Sequence, residues 1–363
     1  MGSLIVLALN SGSSSLKFGL YRVDSTGAEK LFGDSLSAAD HPDAIMHVAG
    51  LLAASGMPPP EAIGHRIVHG GPALRQHCRI DDAVLSQLHA AAAFAPLHAP
   101  AALALVRFAQ LHFPGVPQVA CFDTQFHVGL PDVARVLPIA RELQSEGIQR
   151  FGFHGLSLES IVRQLGHDLP QKLVIAHLGN GASITAVKAG QSIDTSMGLT
   201  PSGGVIMGTR SGDLDPGVLV HLMREKKFDA ASLEALVDQR SGLLGISGVS
   251  GDMRRLHEAA ASNRDARLAI EMFCYSVRKQ VAAMIAVLGG LDTLVFTGGI
   301  GENDAQVRAE ICSGLAWIGI SLDESRNRAA SNRVSDGVSC CQVLVLASQE
   351  DEQIARHTCA LMA

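Results

Sequence analysis

The chain has 363 residues, enough at roughly 100–200 residues per domain for two domains with cores of their own, and 47% of them are hydrophobic against 18% charged. That balance fits a folded protein and excludes long disordered tails. A formal net charge of −6 leaves no basic footprint for nucleic acid or an anionic membrane, so any anionic ligand must be held by individually placed cations.

Residues 4–9 form an apolar run that lacks a basic leader and is too short for a signal segment or a membrane span, and they read as the first strand. The run enters Asn10-Ser11-Gly12-Ser13-Ser14-Ser15 and continues as Leu16-Lys17-Phe18. Residues 173–176 enter His177-Leu178-Gly179-Asn180-Gly181-Ala182-Ser183 in the same way, followed by a second strand. Either copy alone is accounted for by an ordinary hairpin. The surplus of Gly and hydroxyl residues, and the recurrence at the start of each half, point instead to two related lobes gripping one phosphorylated ligand through backbone N–H groups.

Residues 24–60 are weakly patterned and end in Met57-Pro58-Pro59-Pro60, which predicts a stiff surface connection with little chemistry. Residues 62–71 predict a strand running into Gly70-Gly71. Asp81 or Asp82 caps a helix that stops before Pro96, and a further helix runs from Pro100 to Pro114. A strand over 116–122 delivers Asp123 to its C-terminal end. The pattern restarts near Phe151-Gly152-Phe153-His154-Gly155, which sets a lobe boundary near 148 and predicts a helix over 156–165. Residues 265–288 predict a long helix with Leu268, Met272, Phe273, Val277, Val281, Met284, Ile285 and Leu288 at helical spacing, closed by Gly289-Gly290. A strand over 294–297 follows, and Gly298-Gly299-Ile300-Gly301 leads into a helix capped at Asn303 or Asp304. The alternation defines an α/β fold. Seven cysteines, odd in number and never spaced C-x-x-C, read as reduced thiols of a cytoplasmic protein.

The densest polar stretch is 194–217, and Arg210 stands in it among Gly and hydroxyl residues that let a planar phosphoryl group approach. As a surface loop the same stretch would be held by an Arg–Asp pair. Arg66 offers a second cation at a strand end. Its neighbours His65 and His69 have the i,i+4 spacing of a helical metal site, but Ile67-Val68 favour a strand, so they read as structural. His98 and His154 each sit in a turn beside apolar residues able to wall a small pocket. Gly298 to Asn303, after a buried strand, suits a nucleotide. Neither the G-x-x-x-x-G-K-[ST] loop nor a dinucleotide G-x-G-x-x-G is present, so the phosphate grip is of another type.

Taken in order, Asn10 to Lys17, Gly64 to Gly71, Ala95-Pro96-Leu97-His98, Phe122-Asp123-Thr124, Phe153-His154-Gly155, His177 to Gly181, Asp194 to Pro216 and Phe296 to Asn303 resemble the acetokinase family, the acetate kinases of the actin, Hsp70 and sugar kinase superfamily, nearly end to end. The resemblance implies a duplicated, ribonuclease H-like α/β fold with the active-site cleft between two lobes. An N-terminal lobe would span 1–147 and a nucleotide-binding lobe 148–351, with a C-terminal helix over about 352–363 packing back on the first. It implies ATP + acetate ⇌ ADP + acetyl phosphate by direct in-line transfer with Mg²⁺, or Mn²⁺ in its place, in a homodimer with no nucleic-acid or membrane partner. Carried over by position, Arg66 and Arg210 contact the carboxylate and the phosphoryl in transit, His154 bonds that phosphoryl, and Asp123 lies near the reacting groups. Asn10 and Glu350 match the magnesium-associated positions, with Glu352 an alternative to Glu350. Lys17, His177, Leu178, Gly179, Asn180, Gly181, Asp252, Met253, Arg254, Gly299, Ile300, Gly301, Glu302 and Asn303 match the nucleotide site. Val68, Leu97, His98, Phe153 and Pro201 match the pocket for the substrate methyl.

The sequence departs from the family pattern in three places: a shortened 24–60 segment, Leu156 in place of the usual Thr, and Ser202-Gly203 in place of a bulkier acidic pair. Two other functions fit the residues less well. A propionate or butyrate kinase would differ by one or two methylenes in the pocket, and Val68 favours the smaller acid. A nucleotide-gated binding module would leave the paired arginines without a purpose.

Overall fold

The computed structural model of the protein describes residues 2–12, 15–37, 44–95 and 98–363. Ser13 and Ser14 of the first turn, and Leu97 of the expected substrate pocket, lie outside the described residues. The chain divides into two compact units: Met1–Val128, Phe153–Gln164 and Gln349–Ala363 make the first, Gly129–Gly152 and Leu165–Ser348 the second.

The first unit is built on strands β1 (Leu4–Ser11), β2 (Ser15–Val23), β3 (Ala28–Ser37), β4 (Ala62–Ile67), β5 (Cys78–Arg79) and β6 (Gln118–Phe122), in the order β3-β2-β1-β4-β6-β5. Strands β1, β2 and β3 are antiparallel neighbours, while β4 runs parallel to β1 and β6 parallel to β4. Strand β1 reads as an unbroken apolar run because both its faces are covered. Leu7 and Leu9 pack with Val48, Leu52, Leu105 and Ala109 of helices Ala44–Ser55 and Ala99–His112. Val6 and Ala8 pack with Leu156 of helix Gly155–Leu165 and with Ile354 and Ala355 of helix Glu350–Met362. The last helix lies so close on β4 that any side chain at Gly64 would collide with Thr358 and Ile354.

This packing explains two departures from the sequence reading. Residues 24–60 are not a bare connection: they hold β3 and helix Ala44–Ser55. An edge strand with few buried residues and a helix apolar over most of its length both carry weak periodicity. Residues 153–164 fall in the first unit rather than beyond a boundary at 148, because Leu156 is fully buried against β1 and the last helix.

The second unit repeats the scheme with β7 (Lys172–Leu178), β8 (Ala182–Lys188), β9 (Gln191–Thr195), β10 (Thr293–Thr297) and β11 (Gln342–Val345), ordered β11-β10-β7-β8-β9. Strands β7, β8 and β9 are again antiparallel neighbours, with β10 parallel to β7 and β11 to β10. The order β3-β2-β1-β4-β6 thus recurs as β9-β8-β7-β10-β11, and the repeated hairpin opens each copy. Helix Arg264–Leu288 is capped by Asn263, whose side chain accepts from the Asp265 and Ala266 amides, and it ends at Gly289 with φ of 66°. Its buried stripe is Ala266, Ala269, Phe273, Cys274, Val277, Val281, Met284 and Leu288. Leu268 and Met272, read as core from spacing, are 41% and 37% exposed. They precede the Ala269–Phe273 row by one residue, about 100° around the helix. Among the described residues no helix is long and apolar enough to cross a membrane.

Candidate active site

Parallel strands β1, β4 and β6 carry Asn10, Arg66 and Asp123 toward their C-terminal ends, where open α/β sheets place their ligands. Arg66 donates through Nε and Nη2 to Asp123 Oδ2 at 2.9 and 2.6 Å, and through Nη1 to Asn10 Oδ1 at 3.2 Å. Its Nη1 also lies 3.9 Å from Glu350 Oε2. Asn10 Nδ2 donates to Glu350 Oε2 at 2.9 Å and to Asp351 Oδ1 at 2.8 Å. Asp123 is 1% exposed, and burial pushes its carboxyl up from the ordinary value against the pull of Arg66. Burial also opposes the charge of Arg66, but Asp123 and Glu350 outweigh it and hold the guanidinium proton more tightly. Asp351 is raised by burial, with the Asn10 hydrogen bond opposing.

The oxygen-rich donor set fits Mg²⁺. Asp123 Oδ1 is buried without a hydrogen-bond partner, and Glu350 presents a second carboxylate nearby. Mg²⁺ is commonly held through one or two carboxylates, substrate phosphates and water, which is what this pair allows. Glu350 begins the last helix on the side of Asn10. Glu352 faces elsewhere, bonded to Arg163 and Arg356 at 2.9 Å each.

His154 has φ of 61°, and the following Gly155 donates its N–H to the Asp123 carbonyl at 2.8 Å. A Cβ at Gly155 would strike that carbonyl oxygen, so Gly is obligatory where the segment is pressed against Asp123. His69 Nδ1 accepts from Gly71 N at 2.8 Å, and its ring stacks on Phe94 and meets Phe153 edge-on. Val68 and His69 line a small apolar cavity with Ile67, Ala95, Ala99 and Leu103. His98 heads helix Ala99–His112. His65 is held by Gln118 Oε1 at 2.8 Å, and burial pushes its imidazole down to about 4. His65 and His69 thus have separate hydrogen-bond partners within the fold.

Another histidine pair converges on an acid: His77 and His357 both face Glu159, whose carboxyl their contacts lower to about 2 despite its burial. It does not suit a metal. His77 Nδ1 accepts from Phe122 N at 2.9 Å, so the neutral ring carries its proton on Nε2 and lacks the lone pair a metal needs there.

In the second unit Arg210 is buried, not part of a surface loop, and its Nη1 donates to the Pro201 carbonyl at 3.1 Å. Gly242, with φ of 60°, lets its own backbone press on Met207 and Arg210. The turn after β7 packs closely with two others. Gly208 N donates to Asn180 O at 3.2 Å, Gly208 lies against Gly251, and Gly298 lies against Leu178. Asp252 caps helix Met253–Ala259 and pairs with Arg254 at 2.7 Å, whereas Met253 buries its side chain in the core. Residues Gly298–Asn303 are already helical, and the next helix is capped by Asp304 rather than Asn303. Glu302 Oε1 accepts from Gly298 N and Ser348 N at 2.9 Å each, so its carboxylate serves the turn itself. Lys17 stands on β2 opposite Asn10 and belongs to the first unit, whereas the other residues matched to the nucleotide belong to the second.

Sequence reasoning missed Asp351, Gln118 and Arg163. A polar residue in an otherwise apolar strand was a signal for Gln118, while the run of acids from Glu350 to Glu352 gives no order of importance.

The twice-used strand order defines a duplicated α/β fold, one shared with solved acetate and propionate kinases. The acetokinase family profile matches residues 28–356, and the chain belongs to that family. It is 41% identical over 399 aligned positions to an acetate kinase of Methylocella silvestris, covering 99% of this chain and 98% of that one. Those 399 positions exceed the chain's 363 residues, so at least 36 have no counterpart in it. Among solved structures, a propionate kinase from Francisella tularensis superimposes with a TM-score of 0.89 at 37% identity, covering 99% of this chain and all of that one. The Porphyromonas gingivalis acetate kinase gives 0.84 at 34%, with coverage of 99% and 100%.

Proposed function

We propose that the chain transfers the γ-phosphoryl group of ATP directly to acetate, giving acetyl phosphate and ADP. The Arg66 cluster at the ends of three parallel strands carries this reading. Acetate, with a pKa near that of a Glu side chain, roughly 4–5, is ionised at neutral pH and needs no general base. Phosphoryl transfer asks instead for alignment and for cations on the developing charge. Arg66 and Arg210 supply those cations to the carboxylate and the phosphoryl, and His154 donates a hydrogen bond to the phosphoryl. Asp123, bonded to two nitrogens of Arg66, fixes the plane of the guanidinium. Asn10, Asp123 and Glu350 would hold Mg²⁺, which neutralises phosphate charge when bound. The segments 177–181, 252–254 and 299–303 would hold the nucleotide. Val68, Leu97, His98, Phe153 and Pro201 would surround the methyl group. On this reading the enzyme is a cytoplasmic homodimer.

The likeness to a propionate kinase favours a second substrate. One methylene in an apolar pocket is worth about 1–3 kcal/mol, so the two acids can overlap, and bulky Val68 beside a small cavity favours acetate. Hydroxylamine trapping of acyl phosphate, read as kcat/KM for acetate, propionate and butyrate, tests both readings. Acetate is expected to lead; a preference for butyrate overturns the assignment, and ATP hydrolysis without acyl phosphate overturns the kinase reading.

A further inference from the structure

We propose that Arg163 is a positioning residue that sets the rotation of helix Glu350–Met362 about its axis and so aims Glu350 and Asp351 at Asn10 and Arg66. The proposal rests on Glu350 serving the reaction as described above.

The guanidinium of Arg163 grips a single turn of that helix with all three nitrogens. Nη2 donates to Gln349 Oε1 at 2.5 Å, Nε to Gln353 Oε1 at 3.1 Å, and Nη1 lies 2.9 Å from Glu352 Oε1. At about 100° per residue, positions 349, 352 and 353 share one face, while 350 and 351 turn away from it. Gripping the first set therefore fixes where the second set points. The helix start needs such a device, because its N-cap residue is Gln349, which makes no side-chain capping bond. Gln is a poor substitute for the short Ser, Thr, Asp or Asn side chains that normally cap. The neighbouring helix also holds the residue that precedes the first turn: Ser160 Oγ, three residues before Arg163, accepts the Gln349 N–H at 3.1 Å.

The same two helices carry a second rung. Glu159 and Arg163 are spaced i,i+4 on one, and their partners His357 and Gln353 are spaced i,i+4 on the other. With that rung and the contacts of Leu156, Ile354 and Ala355 in place, the helix stays docked without Arg163 but loses the contact that fixes its first turn. Arg163 touches neither Asn10 nor Arg66 in this network, so its effect passes through Glu350 and Asp351.

The test compares wild type, Arg163→Met and Arg163→Lys, each alone and with Glu350→Gln. Mn²⁺ binding to the ADP complex, read by electron paramagnetic resonance without turnover, is expected to weaken about 10- to 100-fold in Arg163→Met, the range for residues that orient a metal ligand. Arg163→Lys is expected to recover part of the loss, kcat to fall with KM for acetate unchanged, and Arg163→Met to add almost nothing once Glu350 is already Gln. Equal Mn²⁺ affinity in wild type and Arg163→Met, or an undiminished loss in the Glu350→Gln background, overturns the proposal. If Arg163→Met does not fold, Glu352→Gln, which removes its ionic partner, carries the same comparison. Failure of the wild type to form acyl phosphate sinks the functional reading instead, and the Mn²⁺ titration still judges the role of Arg163.

Discussion

Truncating Arg66 to Ala should damage catalysis and folding by separable amounts. The guanidinium makes two bonds to Asp123 Oδ2 and one to Asn10, with Glu350 3.9 Å away. Loss of a placed transition-state donor costs about 10²–10³ in kcat, or about 2.7–4 kcal/mol. A separate cost falls on the fold. Asp123 is almost wholly buried, its Oδ1 has no partner, and Arg66 is the cation bonded to its Oδ2, so removing Arg66 strands a buried charge at about 3–5 kcal/mol. Adding Asp123→Asn removes that charge. The double variant is therefore expected to regain most of the stability lost by Arg66→Ala and none of the activity. Urea denaturation reads the first quantity and hydroxylamine trapping of acetyl phosphate the second. Near-native turnover of Arg66→Ala removes Arg66 from the chemistry, and equal instability of single and double variants refutes the stranded-charge argument.

Gly155→Ala pushes a methyl group into the Asp123 carbonyl, backbone that cannot swing aside, at an expected cost of about 1–3 kcal/mol. Its thermal midpoint and kcat should fall together, and no change in either would show that the segment can yield. His65 supplies a pH dependence. Its folded value of about 4 lies below the ordinary 6.5, so the unfolded chain binds the proton first as pH falls. Stability from this group is complete above about pH 6.5 and lost progressively down to about pH 4, a total of about 3 kcal/mol at 1.36 kcal/mol per unit. In His65→Asn the slope of unfolding free energy against pH should flatten across that window; an unaltered slope would place the titration elsewhere. Val68→Ala should raise propionate against acetate in kcat/KM by about 10- to 100-fold, and an unchanged ratio would mean that Val68 does not bound the methyl pocket.

Residues whose chemistry is local were the legible ones. Asp123 at a strand end, Asp81 as a cap and Gly289 as a stop all follow from neighbours in sequence, and all stand where local rules put them. Asp351 and Arg163 matter through partners some 190 to 340 positions distant, and nothing in their own surroundings announces it. The misplacement of Leu268 and Met272 has another cause. A helix with apolar residues on adjoining rows satisfies several stripes at once, and only packing against Val277 and its row chooses among them. Segment 24–60 was obscure because an edge strand half open to water and a helix apolar over most of its length show little amphipathic contrast.

The helix that presents Glu350 follows Val128 by more than 200 residues, yet its Ile354 and Ala355 close one face of the first sheet. During synthesis at about 5–20 residues per second, the last helix follows Val128 by on the order of 10–45 s, and until then that face has only the helix of Leu156 to cover it. Arg66 and Asp123 consequently lack their acidic neighbours until translation has passed Glu350. A nascent chain stalled earlier can hold neither a finished first core nor a finished catalytic cluster, which makes the order of translation itself a safeguard against partly made, active enzyme.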